Sequence, residues 1–193
     1  MNGKPKRSMQ AFYPRQKWAK WMVKLPLYLW RLGLGPLSGK IFLVLTTTGR
    51  KSGLPRHTMV EYHVVNGKKV APCAFGAKSQ WYRNIQADPR VTVQTADGTE
   101  RMRAVRVTDD EELRAIFDTL QRRDPALLNW YLQSLGIEPA ADAVVANKER
   151  VYFIRFDPTD EPTPPGLEVD LAWLWPAALL GLLAMKRLRC RKK

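Results

Sequence analysis

The stretch that decides the reading is Thr46–Arg56, TTTGRKSGLPR, answered twenty-five residues later by Trp81-Tyr82-Arg83-Asn84. The first segment sets Arg50, Lys51, Ser52 and Arg56 around Gly49 and Gly53, between two runs of strand-forming residues. Arginine forks grip phosphate or carboxylate through paired hydrogen bonds, and glycines let backbone N–H groups approach the same anion. A ligand with an anionic tail is the first inference. A solvated basic turn is the competing one. The Trp81-Tyr82 pair weighs against the plain turn, because a short helix carries large aromatics when they pack on something flat, although that something can equally be the core.

Working outward, Ile41 to Thr47 reads as a buried strand entered after the helix-breaking Gly33-Leu34-Gly35-Pro36. Leu54 to Val65 and Lys68 to Ala74 flank Asn66-Gly67, while Arg90 to Ala96 and Thr99 to Val107 flank Asp97-Gly98. Both dipeptides are hairpin signals. With Val151 to Phe156 this makes six strands, mostly antiparallel. Ser79 is placed to cap a short helix running to Gln86, and Thr108 with Glu111 has the spacing of a capping box. The helix that follows carries an apolar stripe of Leu113, Ile116, Phe117 and Leu120, and Ala126 to Leu135 suggests another. Short helices inserted between hairpins predict an α+β fold with a small barrel.

Charge is divided unevenly over the 193 residues. Positions 1 to 60 hold twelve Lys or Arg and no acidic residue, and Lys186 to Lys193 holds six more basic ones. The net charge of +14 therefore belongs to the ends. Trp18, Trp21, Met22 and Leu25 recur at helical spacing, with Lys17, Lys20 and Lys24 on another stripe, as in a basic helix that lies on anionic lipid or packs its tryptophans on the domain. Leu171 to Met185 carries no charge, but fifteen helical residues rise only about 22 Å against a hydrocarbon core of about 30 Å. An interfacial helix or tail anchor on the cytoplasmic side of the membrane fits better than a full span. Cys73 and Cys190 form no disulfide framework, which suits a reducing compartment. Two scattered histidines propose no metal site, His63 reads as core or surface, and the charge distribution does not suit nucleic acid. The expected organisation is a basic helical region at 1–36, a barrel at 37–158, a Pro-rich acidic linker at 159–170 and an apolar helix with a basic tail at 171–193.

The ordered pair LTTTGRKSGLPR and FGAKSQWYRNIQADPRVTVQ resembles the deazaflavin-dependent nitroreductase family, a branch of the split β-barrel, FMN-binding-like superfamily, over roughly Leu34 to Pro158. The resemblance implies binding of the deazaflavin coenzyme F420 and hydride transfer from its reduced form to a quinone, enone or nitroaromatic. It further implies that Arg50, Lys51, Ser52 and Arg56, with Lys78 near the same mouth, hold the phosphate and glutamyl tail. His57, Thr58, Cys73, Ala74, Phe75 and Gly76 would line the ring, with Gln80, Trp81, Tyr82 and Asn84 covering it. Tyr131 is the candidate proton donor. Arg83, the long segment Gln121 to Arg150 and the tail depart from the family pattern. With lipid-seeking ends, a membrane quinone is the acceptor to expect. Two alternatives stay open on the residues alone: an enzyme using FMN, whose tail a basic turn would also serve, and a non-catalytic barrel that carries a lipid or haem.

Overall fold

The structure, a computed structural model, describes residues 26–176 and 179–180. Among the described residues seven strands are present: β1 (Phe42–Thr48), β2 (Pro55–Glu61), β3 (His63–Val65), β4 (Lys68–Pro72), β5 (Arg90–Thr95), β6 (Gly98–Arg106) and β7 (Phe153–Pro158). The four helices that matter here are α1 (Gln80–Ala87), α2 (Asp110–Arg123), α3 (Pro125–Ser134) and α4 (Ala141–Ala146). The strands form one antiparallel sheet in the order β2-β1-β5-β6-β7-β4-β3. The fold is α+β, as expected.

That order contains its own proof of closure. β2 and β3 lie at opposite edges of the sheet, yet only Tyr62 separates them. With neighbouring strands about 4.8 Å apart, a flat sheet of this order would hold its edges roughly 29 Å apart, which one residue cannot span. The sheet therefore curls until its edges meet, leaving a seam without a backbone ladder: a split barrel. The run Leu54 to Val65, expected as one strand, breaks at Tyr62 for this reason. The break is anchored by Tyr62 N donating to the Ile41 carbonyl at 3.2 Å and its hydroxyl donating to the Gly39 carbonyl at 3.1 Å.

Strand alternation divides the interior into two cores. Inside the barrel pack Leu43, Leu45, Ala71, Val91, Val93, Met102, Ala104, Ile154 and Phe156, with Trp81, Tyr82 and Ile85 of α1 closing one end. Outside, Val70, Val151 and Phe153 meet the stripe Leu113, Ile116, Phe117 and Leu120 of α2, together with Leu128, Tyr131 and Leu132 of α3. The stripe is the predicted one. Its cap sits one residue later than predicted, for Asp109 rather than Thr108 accepts from the backbone N–H three residues on, Glu112, at 2.9 Å. Asp109 and Glu112 repeat the same spacing, and a carboxylate is a strong cap that also favours the positive helix end. The Asn66-Gly67 hairpin is as read, with both residues at positive φ (49° and 75°). At the other hairpin Thr95 pairs with Gly98, so the two loop residues are Ala96 and Asp97.

The Pro-rich segment at 159–170, read from composition as a linker, is held against the outer face of β5. Thr92 Oγ1 lies 2.7 Å from Thr163 Oγ1 and donates to the Pro164 carbonyl at 2.5 Å. Gln94 takes both backbone groups of Leu167, accepting from its N–H at 2.6 Å and donating to its carbonyl at 3.1 Å. Beyond it, Asp170 accepts two hydrogen bonds from the Arg31 guanidinium, Leu171 N–H donates to the Arg31 carbonyl, and Trp175 Nε1 donates to the Leu32 carbonyl at 2.8 Å. The described parts of both chain ends are thus latched together. The expected helix at Trp18 to Leu25 and most of the apolar segment after Pro176 lie outside the described residues. Among the described residues no helix is long and apolar enough to cross a membrane.

Candidate functional site

The loop between β1 and β2 closes on itself. Gly49 N–H donates to the Leu54 carbonyl at 2.9 Å, while the N–H groups of Ser52 and Gly53 return to the Gly49 carbonyl at 3.0 and 2.8 Å. A β-carbon on Gly49 would stand 2.8 Å from Ser52 Oγ and 3.2 Å from Arg56 Cγ, so no side chain fits there. Ser52 Oγ in turn accepts from Arg56 Nη2 at 3.2 Å. The loop's tight shape presents its cations on one rim.

Helix α1 fastens that loop, which explains why the two motifs occur together. Asn84, 5% exposed, donates from Nδ2 to Thr47 Oγ1 at 3.0 Å and accepts from Arg50 Nη1 at 3.0 Å. Gln80 Oε1 accepts from Arg50 Nη2 at 2.9 Å. Arg50 is thereby aimed by two neutral amides, which fix its direction and leave its charge uncompensated. Asn84, expected to cover a ring, is first of all the bolt between strand, loop and helix.

These elements enclose a cavity of about 430 Å³ lined by Arg50, Lys51, Ser52, Arg56, His57, Thr58, Gln80, Trp81, Asn84 and Gly49. Three lining side chains are cationic and none is acidic. Elsewhere several arginines meet carboxylates: Arg90 with Asp88, Arg103 with Glu161, Arg155 with Asp157 and Glu112. A cavity that keeps its cations free of carboxylates while walling one side with Trp81 suits a ligand with an anionic tail and a flat ring. His57 carries a ring nitrogen, Nδ1, 2.9 Å from Thr46 Oγ1, and burial lowers its pKa, so the imidazole is neutral near pH 7.

The remaining expected residues are not brought to this cavity. Cys73 is buried in the barrel core, and burial pushes its thiol up to about 12, which makes it inert. Ala74 and Phe75 pack against the outer core, and Gly76 and Lys78 form a short turn beside it. Tyr82 faces inward, edge-on to Tyr152 at 5.1 Å between ring centroids. It also meets the ring of Trp81 edge-on, at 6.4 Å between centroids, in the barrel core, but of the two only Trp81 lines the cavity. Tyr131 requires correction. It is 3% exposed, packs edge-on against Phe153, and its hydroxyl accepts the backbone N–H of Tyr152 at 2.9 Å. Burial raises its pKa further, so it is a core residue and no proton donor. His63 is buried at the barrel edge, away from the cavity. Sequence reading missed Thr47 as the anchor of Asn84; its place in the buried TTT run was the available signal. Among the described residues no cluster of His, Cys, Asp and Glu has the makings of a metal site.

The family described as F420H(2)-dependent quinone reductase matches residues 33–132, just over half of the chain. Among solved structures, an F420-H2 dependent reductase (FDR-A) is similar at 20% identity, covering 61% of this chain and 95% of that one with a TM-score of 0.47. The conserved hypothetical protein Rv2991 from Mycobacterium tuberculosis shares 23% identity over 62% of this chain and 73% of its own, with a TM-score of 0.42. HutZ, a haem storage protein from Vibrio cholerae, shares 14% over 72% and 94%, with a TM-score of 0.44.

Proposed function

The chain belongs to the F420H(2)-dependent quinone reductase family, and from that premise we propose that it reduces a membrane quinone with hydride from reduced F420, working on the cytoplasmic side of the membrane. Its character as an F420-dependent oxidoreductase follows from the family, which lends no support to FMN or to a non-catalytic carrier. The observation that carries the cofactor's placement is the carboxylate-free cationic cavity walled by Trp81. Arg50, Lys51, Ser52 and Arg56 would hold the phosphate and glutamyl tail there, while Trp81, His57 and Thr58 would bound the ring. When bound in its reduced form, the deazaflavin supplies two electrons and a proton together as hydride. The protein's part is to fix orientation and exclude water. With Tyr131 committed to the core, the second proton that completes the quinol comes from solvent. Enones and nitroaromatics are electrophiles that the same transfer would reduce.

Membrane placement is supported by the charge excess of the ends and by the apolar side chains that the latched segments leave exposed, among them Tyr28, Leu29, Val169, Trp173 (62% exposed) and Trp175. Tryptophans beside basic residues suit the lipid interface. Two measurements on the full chain test the reading. Titration with F420 should quench intrinsic Trp fluorescence with a micromolar or tighter Kd, and the protein should float with anionic phospholipid vesicles. No saturable quenching would remove the cofactor assignment; protein left at the bottom of the gradient would remove the membrane.

A further inference from the structure

A second cavity, of about 320 Å³, shares Arg56 and His57 with the first and takes the rest of its lining from other parts of the chain. In the sheet register His57 lies opposite Thr46, and Thr46 opposite Thr92, the residue that receives the segment at 163–164. His57 therefore stands on the outer face of the barrel, beneath the returning C-terminal segment. Leu167, clamped by Gln94 through both of its backbone groups, forms one wall. Leu27 and Tyr28 form another, on the segment that Arg31 latches to Asp170. The Arg31 guanidinium also lies over the Tyr28 ring, 5.7 Å from its centre, which helps to hold that ring in place.

Two arginines line this space, and they are not in the same state. Arg31 is bonded through Nε and Nη2 to the Asp170 carboxylate, so its charge is met. Arg56 donates to one neutral group, Ser52 Oγ at 3.2 Å, and among the described residues it meets no carboxylate. No acidic side chain lines the cavity, and His57, kept neutral by burial, adds no second charge. One unmet positive charge thus stands where the two cavities join, with hydrocarbon from Leu27, Pro55 and Leu167 and the Tyr28 ring beyond it. A wholly polar anion would leave those apolar walls unused, and an uncharged chain would cover Arg56 without giving it a partner. A chain that ends in a single negative group uses both. We propose that this cavity binds an anionic amphiphile, a long-chain carboxylate whose head lies on Arg56 and whose hydrocarbon lies against Leu27, Tyr28 and Leu167. Leu29 and Val169, exposed on the two segments that supply those walls, carry a chain longer than the cavity itself. Because Arg56 also lines the first cavity, the amphiphile competes with the anionic tail of F420 and weakens the enzyme's hold on its cofactor; that consequence rests on the reading of the first cavity as the F420 site.

Calorimetric titration of the full chain with decanoate, kept below its micellar concentration, tests the site. Decanoate should bind saturably, while 1-decanol, which lacks the charge, and acetate, which lacks the chain, should each bind at least tenfold more weakly. No saturable binding of decanoate, or equal binding of 1-decanol, would overturn the site. Leu27→Asn and Leu167→Asn should each weaken decanoate at least fivefold and leave the Kd for F420 within twofold of wild type. Leu27 lies outside both cores, so its variant guards against misfolding at Leu167. Decanoate affinity unchanged in both variants would put the chain elsewhere on the protein and sink the proposal as well. Saturating F420 should weaken decanoate at least fivefold, and an unchanged affinity would overturn the sharing of Arg56. The two readings fail separately: a protein that binds decanoate in this way but takes no F420 removes the cofactor assignment and leaves the amphiphile site standing, and one that binds F420 but no decanoate does the reverse.

Discussion

Two cavities meet at Arg56 and His57, and they differ in how the chain makes them. The first is cationic and comes almost entirely from positions 49–58 and 80–84, a loop and a helix bolted together by Asn84. The second adds apolar side chains to Arg31, Arg56 and His57 and needs residues more than 130 positions apart, Leu27 and Tyr28 from one end and Leu167 from the other. Gripping an anion is a local property, because charge and turn geometry are set by neighbouring residues. Bringing Leu27, Tyr28 and Leu167 to one place is a property of the closed barrel and of the segments folded back over it.

The sharpest way to break the comparison is Arg50→Ala. Losing a charge-assisted contact worth roughly 1.5–3 kcal/mol should weaken F420 binding about 10- to 100-fold. Arg50→Lys should fall between, keeping the charge and losing the fork. Unchanged F420 affinity in a titration of Arg50→Ala would remove the basic loop from the cofactor site. Next in size, Asn84→Ala would leave Thr47 and Arg50 without their shared partner in a buried place, at a cost of about 1–3 kcal/mol in chemical denaturation. F420 affinity should fall with it, since Arg50 loses its aim, and unchanged stability would show that the bolt is not structural.

Smallest is the effect of pH. Burial lowers the pKa of His57, and burial with help from the Arg123 charge lowers that of His63, so the folded state keeps both neutral where the unfolded chain takes up protons. Their contribution is fully present above the ordinary histidine value near 6.5 and is lost as pH falls below it. Glu61, whose pKa burial raises, works in the opposite sense and tempers the loss. The Tm should decline from pH 7.5 to 5.5, and less so in His57→Gln; an equal decline in that variant would assign the effect to His63 alone.

Much of the cationic site was legible because its determinants are near neighbours. The GRKSG turn, its flanking strands and the helix beginning after Ser79 all lie where hydrophobic period and turn chemistry place them. Reading failed where a side chain's direction depends on partners distant in sequence. Tyr131 lies in an apolar helix with hydrophobic residues on several sides, and only the packed outer core decides that its hydroxyl turns to the Tyr152 backbone. Cys73 and Ala74, expected to end a strand over Lys68 to Ala74, lie past β4, which stops at Pro72, and with Phe75 they turn into the cores and away from the cavity.

By itself the sequence determined the strands, the Asn66-Gly67 hairpin, the amphipathic stripe of α2 and the basic loop, because backbone preference and periodicity act over a few residues. It also determined that the positive charge is concentrated at the ends. Only the tertiary structure decided that one residue, Tyr62, draws two sheet edges together, and that a composition suited to a linker would instead dock on Thr92 and Gln94. The bond from Trp175 to the Leu32 carbonyl, across 143 positions, shows why. Contacts at that separation carry no local signature, and they form when burying the barrel's outer face outweighs the entropy of ordering the segment that covers it.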